Sequence, residues 1–379
     1  MTGRLPVALY IGCMSGTSLD GVDAVLAHVE GQGTPRVLGH AWQAYPDALR
    51  RELLTLNGPG EEELHRASLA ANAVAGAYAQ VIGELLQATG TPPASVRAIG
   101  AHGQTVRHQP RPPEGTGYTV QLLNGALLAE LTGMDVVCDF RSRDVAAGGE
   151  GAPLVPAFHR GVFGTACPGV AVLNIGGIAN LTLLLPGDAV LGFDTGPGNL
   201  LLDLWVERHL GTRLDADGAW ARSGRVLPAL LQAMQSEPFF EQPAPRSTGR
   251  DLFSPGWLEA KLGQAALDAP PQDVQATLAE LTVWAVLEGL RRHAPGTTRL
   301  LVCGGGARNG HLMRRLQSGL PGTRVEPTDA CGVPADQVEA LAFAWLAEAF
   351  VEGRPGNLPA VTGARGTRVL GALHRGPPN

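Results

Sequence analysis

A short apolar run, a bend of glycine and small polar residues, and a second β-type run occur near the start of the chain and again near its middle. Few folds accommodate that pair. The first copy is Val7–Ile11, the bend Gly12–Asp20, and Gly21–Val29; the second is Val170–Leu173, the bend Asn174–Asn180, and Leu181–Leu185. A polar, glycine-bearing bend between β-type runs signals a hairpin. Around the two hairpins, strands (Val96–Gly100, Tyr118–Leu122, Val136–Cys138, Val190–Phe193, Arg299–Cys303) alternate with helical runs (Glu61–Ala88, Asn124–Leu131, Leu200–Leu210, Val274–Arg292, Gly310–Leu316, Pro334–Val351). That alternation indicates α/β layers. With 379 residues the chain exceeds an ordinary single domain. The expected division is residues 1–145 and 146–379, broken at the glycine cluster Ala146–Gly151, with the last helix and tail free to pack back on the first domain.

Charge and cysteine usage narrow the function classes. The formal net charge is -6 and the pI is near 5.9, which argues against nonspecific nucleic-acid binding, since that needs a basic face. Five scattered cysteines form no C-x-x-C pair, so neither a disulfide framework nor a zinc site is expected and a cytoplasmic setting is. The apolar run Pro6–Met14 is cut short by Ser15-Gly16-Thr17-Ser18 and reads as a buried strand. No stretch is expected to span a bilayer.

Three bends carry candidate chemistry. In Gly12–Asp23, small residues and hydroxyls allow backbone amides to approach an anion, and Asp20 and Asp23 suit a water-shelled Mg²⁺; taken alone, the bend is more simply a polar hairpin turn with Asp capping its own backbone. Asn174–Asn180, with Gly176 and Gly177, has the same two readings. Gly304-Gly305-Gly306, between a strand and a helix, offers bare backbone to a nucleotide or is merely a packing run. Taken in order, the three match the layout of the actin-like ATPase superfamily, with ATP held in a cleft between two domains. No G-x-x-x-x-G-K-[ST] string occurs, which disfavours a P-loop enzyme. Asp194, at the end of a strand and followed by Gly196, Pro197 and Gly198, is placed to act as a general base; an Asx turn or a helix cap is the alternative. His102 and Gln104 end another strand, with a catalytic or a structural histidine equally open. Asp139, Arg141 and Asp144 form a charged knot that either binds substrate or joins domains, with Arg141 suited to a carboxylate through its fork. Glu339, on the last helix, faces either a cleft or solvent.

Long strings then resemble one family. Gly12–Asp23, Ala101–Thr105, Asn174–Asn180, Gly192–Asn199, Arg246–Arg250, Asp273–Thr282, Val302–Asn309, Glu339–Leu346 and Gly356–Pro359 are similar to the corresponding strings of the anhydro-N-acetylmuramic acid kinases. The resemblance implies a duplicated, ribonuclease H-like, two-domain actin-like ATPase fold. It also implies an ATP- and Mg²⁺-dependent kinase of peptidoglycan recycling that opens 1,6-anhydro-N-acetylmuramic acid with water and phosphorylates O6. The roles implied are ATP binding by Gly16, Thr17, Ser18, Leu19, Asp20, Gly21, Val22 and Asp23 and general base for Asp194. The expected site adds Asn174, Gly176, Gly177, Gly304, Gly305 and Gly306 for the nucleotide, Asp20 for the metal, and His102, Gln104, Arg141, Asp144 and Glu339 for the sugar. The expected partner is that small molecule, with no nucleic acid and no membrane; a homodimer is the assembly allowed for.

Overall fold

The computed structural model describes residues 8–16, 19–30, 33–164, 169–265 and 269–378. Thr17, Ser18, Cys167 and the expected strand start at Pro6 and Val7 lie outside these. The chain divides into two compact units, residues 1–162 with 337–379, and residues 163–336. The glycine cluster expected to separate the domains belongs to the first unit for a physical reason. The Gly151 amide donates to Asp144 Oδ2 (2.8 Å) and the Glu150 amide to the Thr362 carbonyl (2.7 Å), tying the cluster to the returning tail.

In the first unit β1 (Leu9–Met14), β2 (Gly21–His28) and β3 (Arg36–Ala44) run antiparallel, followed by α1 (Asp47–Thr55) and α2 (Glu63–Thr89). β4 (Val96–Ala101) pairs in parallel with β1, and β5 (Gln104–Gln109) with β6 (Tyr118–Leu122) forms a separate hairpin. After α3 (Gly125–Thr132), β7 (Val136–Cys138) joins β4 in parallel, and α4 (Ser142–Ala146) and α5 (Val155–Phe163) follow.

The second unit repeats this plan. β8 (Val170–Ile175), β9 (Ile178–Leu184) and β10 (Val190–Pro197) are antiparallel. Four helices follow, α6 (Leu200–Leu210), α7 (Ala219–Ser223), α8 (Pro228–Gln235) and α9 (Pro255–Ala265), and then the long α10 (Pro271–His293). β11 (Arg299–Cys303) pairs in parallel with β8, α11 (Gly310–Gly319) crosses over, and β12 (Arg324–Pro327) lies parallel to β11. The chain then returns to the first unit through α12 (Val338–Val351), α13 (Pro359–Thr362) and β13 (Ala372–His374), which pairs with β7.

The sheet orders are β13-β7-β4-β1-β2-β3 and β10-β9-β8-β11-β12. In each unit three antiparallel strands stand in the order third, second, first, and two parallel strands extend beyond the first. This shared order is the duplicated ribonuclease H-like plan of the actin-like ATPase fold.

One face of the first sheet packs on α2, whose buried residues include Val74, Tyr78, Val81, Ile82 and Leu85. Contrary to the expectation from sequence, this helix is long and apolar enough to cross a membrane by length and composition alone. Its apolar side is instead the core face of the unit. On α12 the fit is tighter, because β1 and β4 carry glycines where it crosses. A Cβ at Gly12 would lie 1.9 Å from the Ala340 carbonyl oxygen, and one at Gly100 would lie 2.0 Å from that of Phe343. The helix therefore rests on bare backbone at the strand ends that lead to the first bend.

Candidate active site

The first bend leaves β1 at Met14. Ser15 is buried, and its hydroxyl donates to Gln104 Oε1 at 2.5 Å, while Gln104 Nε2 donates to the Gly16 carbonyl at 3.2 Å. Both ends of the Gln104 side chain thus serve the bend. This corrects the expectation of a sugar-binding Gln104: its amide is spent as a buttress. Leu19 is left-handed at φ 58° with its side chain in the core, and Asp20 stands exposed beyond it. Gly21 and Val22 already pair with Ala44 and Gln43 of β3, and Asp23 Oδ1 lies 3.0 Å from His40 Nε2. Outside that ladder, the described residues of the bend are Ser15, Gly16, Leu19 and Asp20.

His102 closes the other side of the bend. Its Nε2 accepts from Arg141 Nε at 3.0 Å, and because an arginine always donates, the ring proton sits on Nδ1, which faces the Ser15 carbonyl at 3.3 Å. Burial, and then the Arg141 charge, push its pKa well below the usual histidine range. A neutral ring with its lone pair already taken is a positioning group, not a base. Arg141 Nη1 donates to the Gly151 carbonyl at 2.8 Å, and Nη2 makes no hydrogen bond to a described residue. Burial lowers the Arg141 pKa to about 10, opposed by the charges of Glu339 and Asp144. Glu339 is half-buried in the first turn of α12. The structure therefore gathers His102, Arg141 and Glu339 beside the first bend.

Asp144 is the exception in this group. It is fully buried, and its carboxylate accepts from the Gly151 amide, Asn357 Nδ2 (2.6 Å) and Thr362 Oγ1 (2.8 Å). A saturated, solvent-excluded carboxylate has nothing left for a sugar. Its work is to fasten the tail to the loop after β7.

In the second unit, strand register places the candidates in one row. Asp194 of β10 lies opposite Asn180 of β9, Asn180 opposite Asn174 of β8, and Asn174 opposite Cys303 of β11, which runs into Gly304. The second bend, Gly176-Gly177, is held by backbone: the Gly198 and Leu200 amides donate to the Gly177 carbonyl and the Asn199 amide to that of Gly176. The Asn199 and Leu200 amides open α6, so two of its N-terminal donors are spent on this bend. α11 is likewise capped, by Asn309 Oδ1 on the His311 and Leu312 amides. Within the glycine triplet, a Cβ at Gly304 would lie 2.3 Å from Asn174 Oδ1, and one at Gly306 would lie 2.3 Å from Ile175 Cγ2. Two of the three glycines are thus packing glycines, and only Gly305 is exposed.

Asp194 combines restraint and openness. Its Oδ2 accepts from the Thr248 amide at 2.9 Å and the Ser247 hydroxyl at 3.0 Å, whereas Oδ1 makes no hydrogen bond to a described residue. Burial raises its pKa to about 6, against the lowering effects of Thr248, Ser247 and Arg246. This clamp was not foreseen. Its only trace in the sequence is the Arg246–Arg250 string, to which no chemistry had been attached.

The family model for anhydro-N-acetylmuramic acid kinase matches residues 8–376. The chain belongs to the anhydro-N-acetylmuramic acid kinase family. Among curated members, that of Ralstonia nicotianae is 55% identical over 370 residues, covering 96% of this chain and 97% of its own. The member from Variovorax paradoxus is 56% identical over 371 residues, covering 97% and 98%. Among solved structures, the activator of the 2-hydroxyisocaproyl-CoA dehydratase from Clostridium difficile is similar at a TM-score of 0.47 and 12% identity, over 91% of this chain and 96% of that one.

For the Mg²⁺ expected of such a kinase, the donor set is small. No group of three metal-ligating side chains occurs among the described residues. Mg²⁺ commonly keeps several waters and takes one or two carboxylates plus phosphate oxygens. The exposed carboxylate of Asp20 is of the kind that fits that demand.

Proposed function

We propose that Asp194 is the base with which this member of the anhydro-N-acetylmuramic acid kinase family draws a proton from water for attack on the anomeric carbon of 1,6-anhydro-N-acetylmuramic acid. Family membership makes the chain a sugar kinase of peptidoglycan recycling, using ATP and yielding N-acetylmuramic acid 6-phosphate and ADP. In the proposed sequence the water proton passes to Asp194 Oδ1, the anomeric C–O6 bond breaks, and O6 attacks the γ-phosphorus as ADP leaves. A carboxylate that ionises near pH 6 is a matched base at neutral pH, an effect typically worth roughly 10²–10⁴ in rate. The observation that carries this reading is the asymmetry of Asp194, one oxygen doubly held and the other open.

The remaining roles are assigned unit by unit. The Ser15–Asp20 bend and the Asn174–Gly177 bend supply amides to phosphate oxygens, which act by positioning and charge stabilisation rather than by covalent chemistry. Arg141, fixed by His102 and Gly151, directs Nη2 to the substrate's lactyl carboxylate. Asp20 would hold Mg²⁺, which when bound neutralises charge on the phosphates. Reliance on ATP suits the cytoplasm.

A coupled ADP-release assay in ¹⁸O-labelled water tests the reading. ADP release on the anhydro sugar should come with label at the product's anomeric hydroxyl beyond that from free-sugar exchange. ADP release without that label would point to a plain hydroxyl kinase and remove the hydrolytic role of Asp194.

A further inference from the structure

We propose that Ser247 is a positioning residue for Asp194: with the Thr248 amide it clamps Oδ2, leaving Oδ1 as the oxygen that takes the proton. The inference rests on the base role of Asp194 and adds the device that makes the role workable.

The segment 246–248 is tied to Asp194 of β10 by one backbone bond and by side chains. The Asp194 amide donates to the Arg246 carbonyl at 2.9 Å, and Arg246 Nε returns a bond to the Asp194 carbonyl at 3.1 Å. Arg246 is itself stapled in place. Its guanidinium lies 4.9 Å from the Phe239 ring centroid and 5.7 Å from that of Phe193, and Nη1 donates to the carbonyls of Phe240 and Gln242. With the backbone fixed on both sides, the Ser247 hydroxyl and Thr248 amide meet one carboxylate oxygen from a set direction.

The clamp also bears on ionisation. Burial pushes the Asp194 carboxyl toward its neutral form, and hydrogen bonds to the charged form oppose that push. Among the described residues the charge that acts on Asp194 is Arg246, on the segment itself, and Arg292 and His293 of α10 stand near Arg246 in turn. Arg292 Nη1 donates to the Phe240 carbonyl, and the His293 ring lies 5.0 Å from Phe193. β9 contributes only the uncharged Asn180 opposite Asp194. Ser247 is thus the one side-chain hydroxyl that holds this carboxylate, and it is exposed, so trimming it opens no core.

The test is the pH dependence of kcat/KM on the anhydro sugar for the full-length wild type, Ser247→Ala and Ser247→Thr. Losing a hydrogen bond to the charged form should move the acid limb of Ser247→Ala up by about one pH unit, a loss of about fivefold at pH 6 that fades by pH 9. Ser247→Thr keeps a hydroxyl and should restore the limb. An unmoved limb in Ser247→Ala overturns the proposal, whatever happens to the plateau. If Asp194→Asn is inactive while that limb stays put, this inference alone fails; if Asp194→Asn turns over normally, the base role fails with it.

Discussion

The two hairpin bends stand in equivalent places in sheets of the same order, yet they are fastened by different means. In the first unit side chains add to the bend's backbone bonds (the Leu19 amide to the Gly16 carbonyl, the Tyr45 amide to that of Asp20): Gln104 holds Ser15 and Gly16, and His102 faces the Ser15 carbonyl. In the second unit backbone bonds dominate, the carbonyls of Gly176 and Gly177 receiving the amides of Gly198, Asn199 and Leu200, with one side-chain bond from Asn199 Nδ2 to the Ile175 carbonyl. Side-chain fastening fails when a polar group is trimmed. Backbone fastening fails when a Cβ intrudes, as one at Gly198 would, 2.4 Å from the Gly176 carbonyl oxygen. The surroundings differ too: the buttressed bend stands beside Arg141 in one unit, and the backbone-held bend leads into the strand whose Asn180 lies opposite Asp194, the proposed base, in the other.

The sharpest way to break this division is at the carboxylate. Asp194→Asn should lower turnover by at least about a hundredfold while nucleotide affinity, read by calorimetry, is unchanged; a matching loss of affinity would make Asp194 part of the binding frame. Next in size is Gly198→Val, which forces a side chain into backbone and should cost about 2–4 kcal/mol of stability in thermal unfolding. Unchanged stability there would mean that the second bend is not held as described. Gln104→Ala should cost less, about 1–2 kcal/mol, because it removes hydrogen bonds without a steric clash, and should raise the Michaelis constant for ATP. Gln104→Ala with wild-type ATP kinetics would leave the first bend without a buttress role. Asp20→Ala should raise the Mg²⁺ concentration needed for half-maximal rate; an unchanged requirement would remove Asp20 from the metal.

Much of the frame was legible because its signals are local. The runs Tyr118–Leu122, Val136–Cys138, Arg299–Cys303 and Leu200–Leu210 are bounded by turn residues and coincide with β6, β7, β11 and α6. The sequence holds no clear sign of β3, since Arg36–Ala44 is half-exposed at the sheet edge and lacks a continuous apolar run. The proline-punctuated stretch Gly211–Asp273 holds α7, α8 and α9 together with the Ser247–Thr248 clamp. Hydrogen bonds spanning 53 and 54 residues leave no periodicity to find. Asp144 misled for a related reason. A charged residue beside Arg141 looks functional, and only the tail, more than 200 residues away, shows that its oxygens are spent.

The smallest effect expected follows from the sign of the Asp194 shift. Its carboxyl is raised from 3.8 to about 6 in the folded chain, so folding takes up a proton between those values. The stabilisation this gives is fully present below the unfolded value and is lost as the pH rises through about 6. Above that point the folded state carries a desolvated carboxylate that the unfolded chain would hydrate. Asparagine carries no charge and can turn its amide oxygen toward the Thr248 N–H, so Asp194→Asn should melt higher than the wild type at pH 8, by about 2–4 °C. The gain should shrink toward zero at pH 5, where the wild-type carboxyl is largely protonated. A gain equal at both pH values would mean that the substitution acts through packing, and that burial is not what lifts this carboxyl.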